Sequence, residues 1–68
     1  MKIRVKLSRE KEIKEISLED GSTVLDLLTK LDLKPDIIIV MDDNIPIPID
    51  DKLTDNQNLS IIIVSSGG

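Results

Sequence analysis

Residues 1–7 alternate with a period of two, Met1, Ile3, Val5 and Leu7 falling on one parity and Lys2, Arg4 and Lys6 on the other. Successive strand side chains point to opposite faces, so this stretch predicts a strand with one face buried and a basic row on the other. Ser8–Glu12 is polar and charged, and a second β-rich stretch runs on to Leu18, with Ile16 and Leu18 sharing a face. A β-hairpin is the simplest connection, although the turn carries no Asn-Gly or Gly-Gly signal. Ile13 falls on the opposite parity from Ile16 and Leu18, which makes it either exposed or the neighbour of a bulge.

Asp20-Gly21-Ser22 interrupts the strand pattern, and Thr23-Val24-Leu25-Asp26 then has the capping-box form, Thr as cap and an acidic residue three places on. A helix is predicted from Val24. Val24, Leu27, Leu28 and Leu31 are spaced i, i+3, i+4 and i+7 and form one stripe to bury, with Leu25 off it. Pro35 disfavours α geometry in the residue before it and has no N–H, so the helix should not pass Lys34.

Ile37–Met41 is five apolar residues in a row, a strand with apolar side chains on both faces and one face to spare. Asp42-Asp43-Asn44 turns the chain. Ile45-Pro46-Ile47-Pro48-Ile49 alternates but cannot donate at either proline, which restricts it to a short edge segment and blunts that edge against further pairing. After polar residues 50–58, Leu59–Val64 forms the last strand, with Leu59, Ile61 and Ile63 on one face and Ser60, Ile62 and Val64 on the other. The predicted order is strand, strand, helix, strand, short edge strand, strand. One amphipathic helix on one face of a mixed sheet of four to five strands makes an α+β two-layer domain over residues 1–64, followed by a flexible tail at 65–68.

Composition narrows what such a domain does. At 68 residues there is room for one small core, and with no Cys and no His neither a disulfide nor a zinc site can staple it. Stability must come from the 12 Ile, 9 Leu, 4 Val and 2 Met. The same absences remove the ordinary general base near neutral pH, the activated thiol and the imidazole of a catalytic triad, so the chain is not expected to be an enzyme. There is no aromatic residue to stack a base, and a net charge of −4 does not attract a phosphate backbone, which disfavours nucleic acid as partner. Charge is unevenly spread, since residues 1–14 carry six cations against Glu10 and Glu12. With apolar and basic residues alternating there and no 18-residue apolar run, neither a signal peptide nor a membrane span is predicted, and the expected location is cytoplasmic. Asp42-Asp43 and Asp50-Asp51 are read as turn formers and solubilising charge before they are read as cation ligands.

The final residues are Ser65-Ser66-Gly67-Gly68, and Gly67 and Gly68 are two of only three glycines. Lacking a Cβ, a glycine pair gives up order in exchange for slenderness, which suits a tail that enters another protein; a frayed end or an added scar is the plain alternative.

The strand order with Gly-Gly directly after a strand resembles the ubiquitin-like β-grasp superfamily, and within it the branch of small sulfur carriers and archaeal modifiers. Local support comes from Thr23-Val24-Leu25-Asp26-Leu27-Leu28 at the helix start, Leu53-Thr54-Asp55-Asn56-Gln57-Asn58-Leu59 leading into the last strand, and Gly67-Gly68. Family members commonly have Gly where Asn56 stands, many have Gly in the turn occupied here by Asp43-Asn44, and the usual aromatic core residues are absent. The resemblance implies that the carboxylate of Gly68 is adenylated by an E1-like activating enzyme that uses ATP, the chain itself binding no cofactor. The activated carboxyl would then become a thiocarboxylate for sulfur transfer or a conjugate on a lysine. The implied partners are that enzyme, a sulfur donor, and an acceptor synthase or target proteins; the free chain is expected to be a monomer.

Four extended residues after Val64 would carry the carboxylate about 13 Å from the sheet, at about 3.3 to 3.6 Å each. If Leu59 and Ile61 face the helix, Ile62 and Val64 face outward with one parity of Ile37–Met41. Exposed apolar residues grouped in this way mark a docking surface or are surface leftover. In a β-grasp sheet the first and last strands are neighbours, so Lys2, Arg4 and Lys6 would rim the patch and hasten encounter with an acidic partner, or be a solvated strand face. Two other function classes remain open on residues alone: a non-conjugated β-grasp interaction domain and, with less support, an RNA- or nucleotide-binding module.

Overall fold

The computed structural model describes residues 1–8 and 12–64, and within them the elements are β1 (Lys2–Leu7), β2 (Ile13–Ser17), α1 (Val24–Lys30), a 3-10 turn (Pro35–Ile37), β3 (Ile38–Asp42), β4 (Ile45–Ile47) and β5 (Gln57–Ile63). The strands form one sheet in the order β2-β1-β5-β3-β4. All pairings are antiparallel except that of β1 with β5, the two strands furthest apart in sequence. The predicted α+β architecture is therefore observed, with the mixed sheet five-stranded.

The alternation read from residues 1–7 is realised directly. Ile3 and Val5 are fully buried, and the parallel register of β1 with β5, Val5 opposite Leu59 and Leu7 opposite Ile61, puts Leu59 and Ile61 on the same face. On the far side of β5, Ile61 faces Val40 and Ile63 faces Ile38. This inner face is covered by α1, whose Val24, Leu27 and Leu28 are fully buried, with Leu31 packed at the margin and Leu25 left 41% exposed. Leu53, from the segment leading into β5, closes the core.

At seven residues α1 is too short to stand alone, and both ends are tied by hydrogen bonds. The first N–H groups of a helix lack internal partners. Here the Thr23 N–H donates to Asp26 Oδ2 at 2.9 Å, the Val24 N–H to Asp51 O at 3.0 Å, the Leu25 N–H to Ile49 O at 2.8 Å, and the Asp26 N–H to Thr23 Oγ1 at 3.3 Å. The capping box is thus present as predicted, and the 49–51 segment supplies the remaining two acceptors.

The helix ends earlier than Pro35 requires. Asp32 takes a left-handed conformation at φ 58, the Asp32 N–H donates to Thr29 O at 3.1 Å and the Leu33 N–H reaches back to Leu28 O at 2.9 Å. This is a Schellman stop in which Asp stands where Gly is usual. Pro35 instead opens the 3-10 turn, so Ile37, expected in the third strand, lies just outside it.

Two further turns use residues that tolerate positive φ. Asp43 and Asn44 at φ 51 and 66 make the two-residue connection from β3 to β4, the mirror-image geometry that suits strand twist. Asn56 at φ 62 ends the turn before β5; its N–H donates to Lys2 O, and the Lys2 N–H to Asp55 Oδ1, both at 2.8 Å. These bonds fix the starts of β1 and β5 side by side. Among the described residues, no helix is long and apolar enough to cross a membrane.

Candidate functional site

β5 lies in the middle of the sheet, held by β1 on one side and β3 on the other, so its outgoing end is rigidly placed. It starts at Gln57, two residues before the predicted Leu59. The polar start is accommodated at the end of the inner face: Gln57 Oε1 accepts from the Thr54 N–H at 2.9 Å while its amide nitrogen donates to Asp42 Oδ2 at 2.6 Å. At the other end the Val64 N–H donates to Ile37 O at 2.8 Å, one more rung beyond the strand. Gly67 and Gly68, with Ser65 and Ser66, lie outside the described residues.

The face away from α1 follows from register. Ile62 pairs with Ile39, Ser60 with Met41, and Met41 in turn with Pro46. Ile62 and Met41 are half-buried, whereas Ile39 is 41% and Val64 49% exposed. These residues form the apolar half of the outer face, next to the point where the chain leaves β5. Of residues 37–41, the outward members are Ile39 and Met41.

Lys2, Arg4 and Lys6 occupy the other half, but not as an even rim. Lys6 pairs with Ser60 and Arg4 with Asn58, so these two border the centre of β5. Lys2 stands opposite Ser17 at the far end of β1, remote in register from Ile62 and Val64. Glu15 of β2 approaches both Lys2 Nζ at 3.6 Å and Arg4 Nε at 4.0 Å. These are exposed pairs that shape the surface potential more than they stabilise the fold. The Lys6 ammonium group makes no ion pair or hydrogen bond among the described residues.

Ile13 resolves to the exposed alternative. The β1–β2 register runs without interruption from Lys2–Ser17 to Lys6–Ile13, so no bulge is present, and Ile13 sits 65% exposed on the outer face beside Lys6. Together with Arg4, Lys6, Asn58 and Ser60 it lines a hollow of about 380 Å³, to which the Asp43-Asn44 turn also contributes. The sequence signal for Ile13 was its odd parity; that for Asn44 and Ser60 did not exist until register was known. Among the described residues no three Asp, Glu, His or Cys side chains are grouped to hold a metal ion.

A five-stranded mixed sheet wrapped on one helix, with its first and last strands parallel at the centre and the chain leaving from the last, defines a ubiquitin-like β-grasp protein. Solved structures of the same fold include Caldiarchaeum subterraneum ubiquitin, with a TM-score of 0.78 and 19% identity over 100% of this chain and 98% of that one. SAMP1 from Haloferax volcanii superposes with a TM-score of 0.75 and 17% identity, covering all of both chains. In sequence, an uncharacterized protein of Archaeoglobus fulgidus is 34% identical over 56 residues, 81% of this chain and 82% of that protein. The model of small archaeal modifier protein 2 matches residues 1–62, and the chain belongs to that family. It is a protein of the ubiquitin-like modifier type; the matched span reaches Ile62 and stops short of Gly67 and Gly68.

Proposed function

We propose that the chain is a carboxyl-terminal carrier or modifier whose Gly68 carboxylate is adenylated by an ATP-dependent, E1-like activating enzyme. The observation that carries this reading is membership in the small archaeal modifier family, over a match that runs into the strand from which the tail departs. Gly67 and Gly68 add no side chains to a tail that must enter a narrow site, and Ser65 and Ser66 add little. A docking face around Ile62 and Val64, with Arg4 and Lys6 beside it and Lys2 at its distant end, would hold the domain outside while the tail enters.

The chemistry suits a chain with no base of its own. An α-carboxylate, with an ordinary pKa of about 3.3 to 3.7, is ionised at neutral pH: a competent nucleophile toward the α-phosphate of ATP and a poor acyl donor. Attack releases pyrophosphate and leaves an acyl adenylate, whose leaving group is AMP. A persulfide sulfur displacing AMP gives an acyl disulfide, and a second thiol that reduces its S–S bond releases the thiocarboxylate; an enzyme thiol displacing AMP gives a thioester that a target lysine amine can resolve. ATP belongs to the enzyme, and the carrier is its substrate. Sulfur donor and acceptor synthase are the further partners in the first case, target proteins in the second.

The test is AMP formation by the cognate enzyme with the full chain and with a chain lacking Gly67 and Gly68. Truncation should abolish AMP formation and leave thermal stability unchanged, because the core lies within residues 3–61. Undiminished AMP formation by the truncated chain would exclude the terminus as reacting group.

A further inference from the structure

The hollow on the outer face is built from a particular donor set, and Ile13 gives it one apolar wall that the core has no use for. Lys6 brings an ammonium group without a partner among the described residues, Arg4 a guanidinium held only at 4.0 Å from Glu15, and Asn44, Asn58 and Ser60 bring neutral polar groups. Its sign is opposite to that of the molecule. Among the described residues the outer faces of β1 and β2 carry Lys2, Arg4 and Lys6 against Glu15, in a chain whose formal net charge is −4.

The geometry points to this hollow as the receptor for one acidic side chain of a partner protein, a carboxylate seated between Lys6, Arg4 and Ser60 with an aliphatic neighbour lying on Ile13. Within the carrier reading, on which the identity of the partner rests, that partner is the activating enzyme. Asp43 also lines the hollow and lowers its positive charge, and an acidic side chain next to an aliphatic one matches the two cations and the apolar Ile13 wall together, which a free phosphate does not. The hollow's volume of about 380 Å³ takes an amino-acid side chain with bound water. Asp43 therefore works against the guest, and its removal should strengthen binding. That sign is opposite to the usual effect of deleting a residue from a binding surface.

Two measurements test this independently. In the first, the isotopically labelled full chain is titrated by NMR with an acetylated, amidated Leu-Glu-Leu-Asp-Leu peptide, with its Gln and Asn counterpart, and with inorganic phosphate. The acidic peptide should shift the amides of Lys6, Ile13, Asn44, Asn58 and Ser60, and the neutral peptide should not. An unresponsive hollow, equal shifts from the neutral peptide, or equal shifts from phosphate would overturn the assignment. In the second, ATP–pyrophosphate exchange by the activating enzyme is followed with variants of the chain. Lys6→Glu should raise KM about tenfold with kcat unchanged, and Asp43→Asn should lower KM about twofold to threefold, as expected for a contact made equally in ground and transition states. Exchange with the unmodified chain but an unaltered KM for Lys6→Glu would refute the hollow and leave the carrier function standing. No exchange even with the unmodified chain would instead refute the carrier function, and the NMR titration would then decide the hollow alone.

Discussion

Leu28→Ala and Leu25→Ala differ by three positions on the same seven-residue helix, yet the fold assigns them opposite fates. Leu28 is fully buried, in contact with the core and carrying the carbonyl that accepts from Leu33 at the Schellman stop; Leu25 remains 41% exposed. Leu and Ala differ little in helix propensity, so the comparison isolates burial. Removing three carbons from Leu28 forfeits about 2.4 kcal/mol of transfer free energy, and the unfilled space raises the total to about 3 to 4 kcal/mol. A domain of this size has about 3 to 10 kcal/mol in all, so the variant should sit near the limit of folding. With a urea dependence of about 1 kcal/mol per molar, its midpoint should fall by about 3 M. Leu25→Ala should cost about 1 kcal/mol or less. The chain has no Trp, Tyr or Phe, so unfolding has to be followed by far-UV circular dichroism or hydrogen exchange, not intrinsic fluorescence. A cost for Leu25→Ala equal to or above that for Leu28→Ala would refute the helix phase on which the core rests.

Thr23→Ala removes the acceptor for the Asp26 N–H and should cost about 1 kcal/mol in the same urea assay, a large share for so short a helix. Asn56, held at φ 62, should accept Gly with a change within about 0.5 kcal/mol, whereas Ala there should cost about 1 kcal/mol through the left-handed penalty. Glu15→Gln should alter stability by less than about 0.5 kcal/mol, since its pairs with Lys2 and Arg4 are exposed, while raising the positive potential of the outer face and with it the association rate of an acidic partner measured at low salt.

The parts of the fold legible in the sequence are those fixed by local periodicity and caps. The alternation of Met1–Leu7, the Val24-Leu27-Leu28-Leu31 stripe and the Thr23/Asp26 box each translate one to one into β1, the buried helix face and the helix start. Features decided by tertiary partners were less visible. The stop at Asp32 uses a non-glycine residue in left-handed geometry, so its sequence lacks the ordinary glycine flag, and Pro35 lies three residues beyond it. Gln57 and Asn58 belong to β5 because Thr54, Asp42 and the parallel partner β1 receive them, which composition alone does not reveal.

The candidate site divides in the same way. Outward placement of Ile62 and Val64 followed from parity and holds. The order of the three cations along the face comes from register, which shows that Lys6 and Arg4 border β5 while Lys2 stands at the far end. Register likewise converts Ile13 from an anomaly into one wall of a hollow shared with Asn44 and Ser60.

The proposed function requires that the carboxyl group of Gly68 be the group activated. The most direct measurement is to incubate the full chain with the cognate activating enzyme, ATP and hydroxylamine, digest with trypsin, and sequence the Leu53–Gly68 peptide by mass spectrometry. Hydroxylamine intercepts an acyl adenylate whatever its later fate, so both sulfur transfer and conjugation pass through the same readout. The expected product is a hydroxamate on Gly68 that requires ATP. A hydroxamate on Asp55 or another side-chain carboxyl with none on Gly68, or an unmodified peptide despite turnover of ATP, would contradict it.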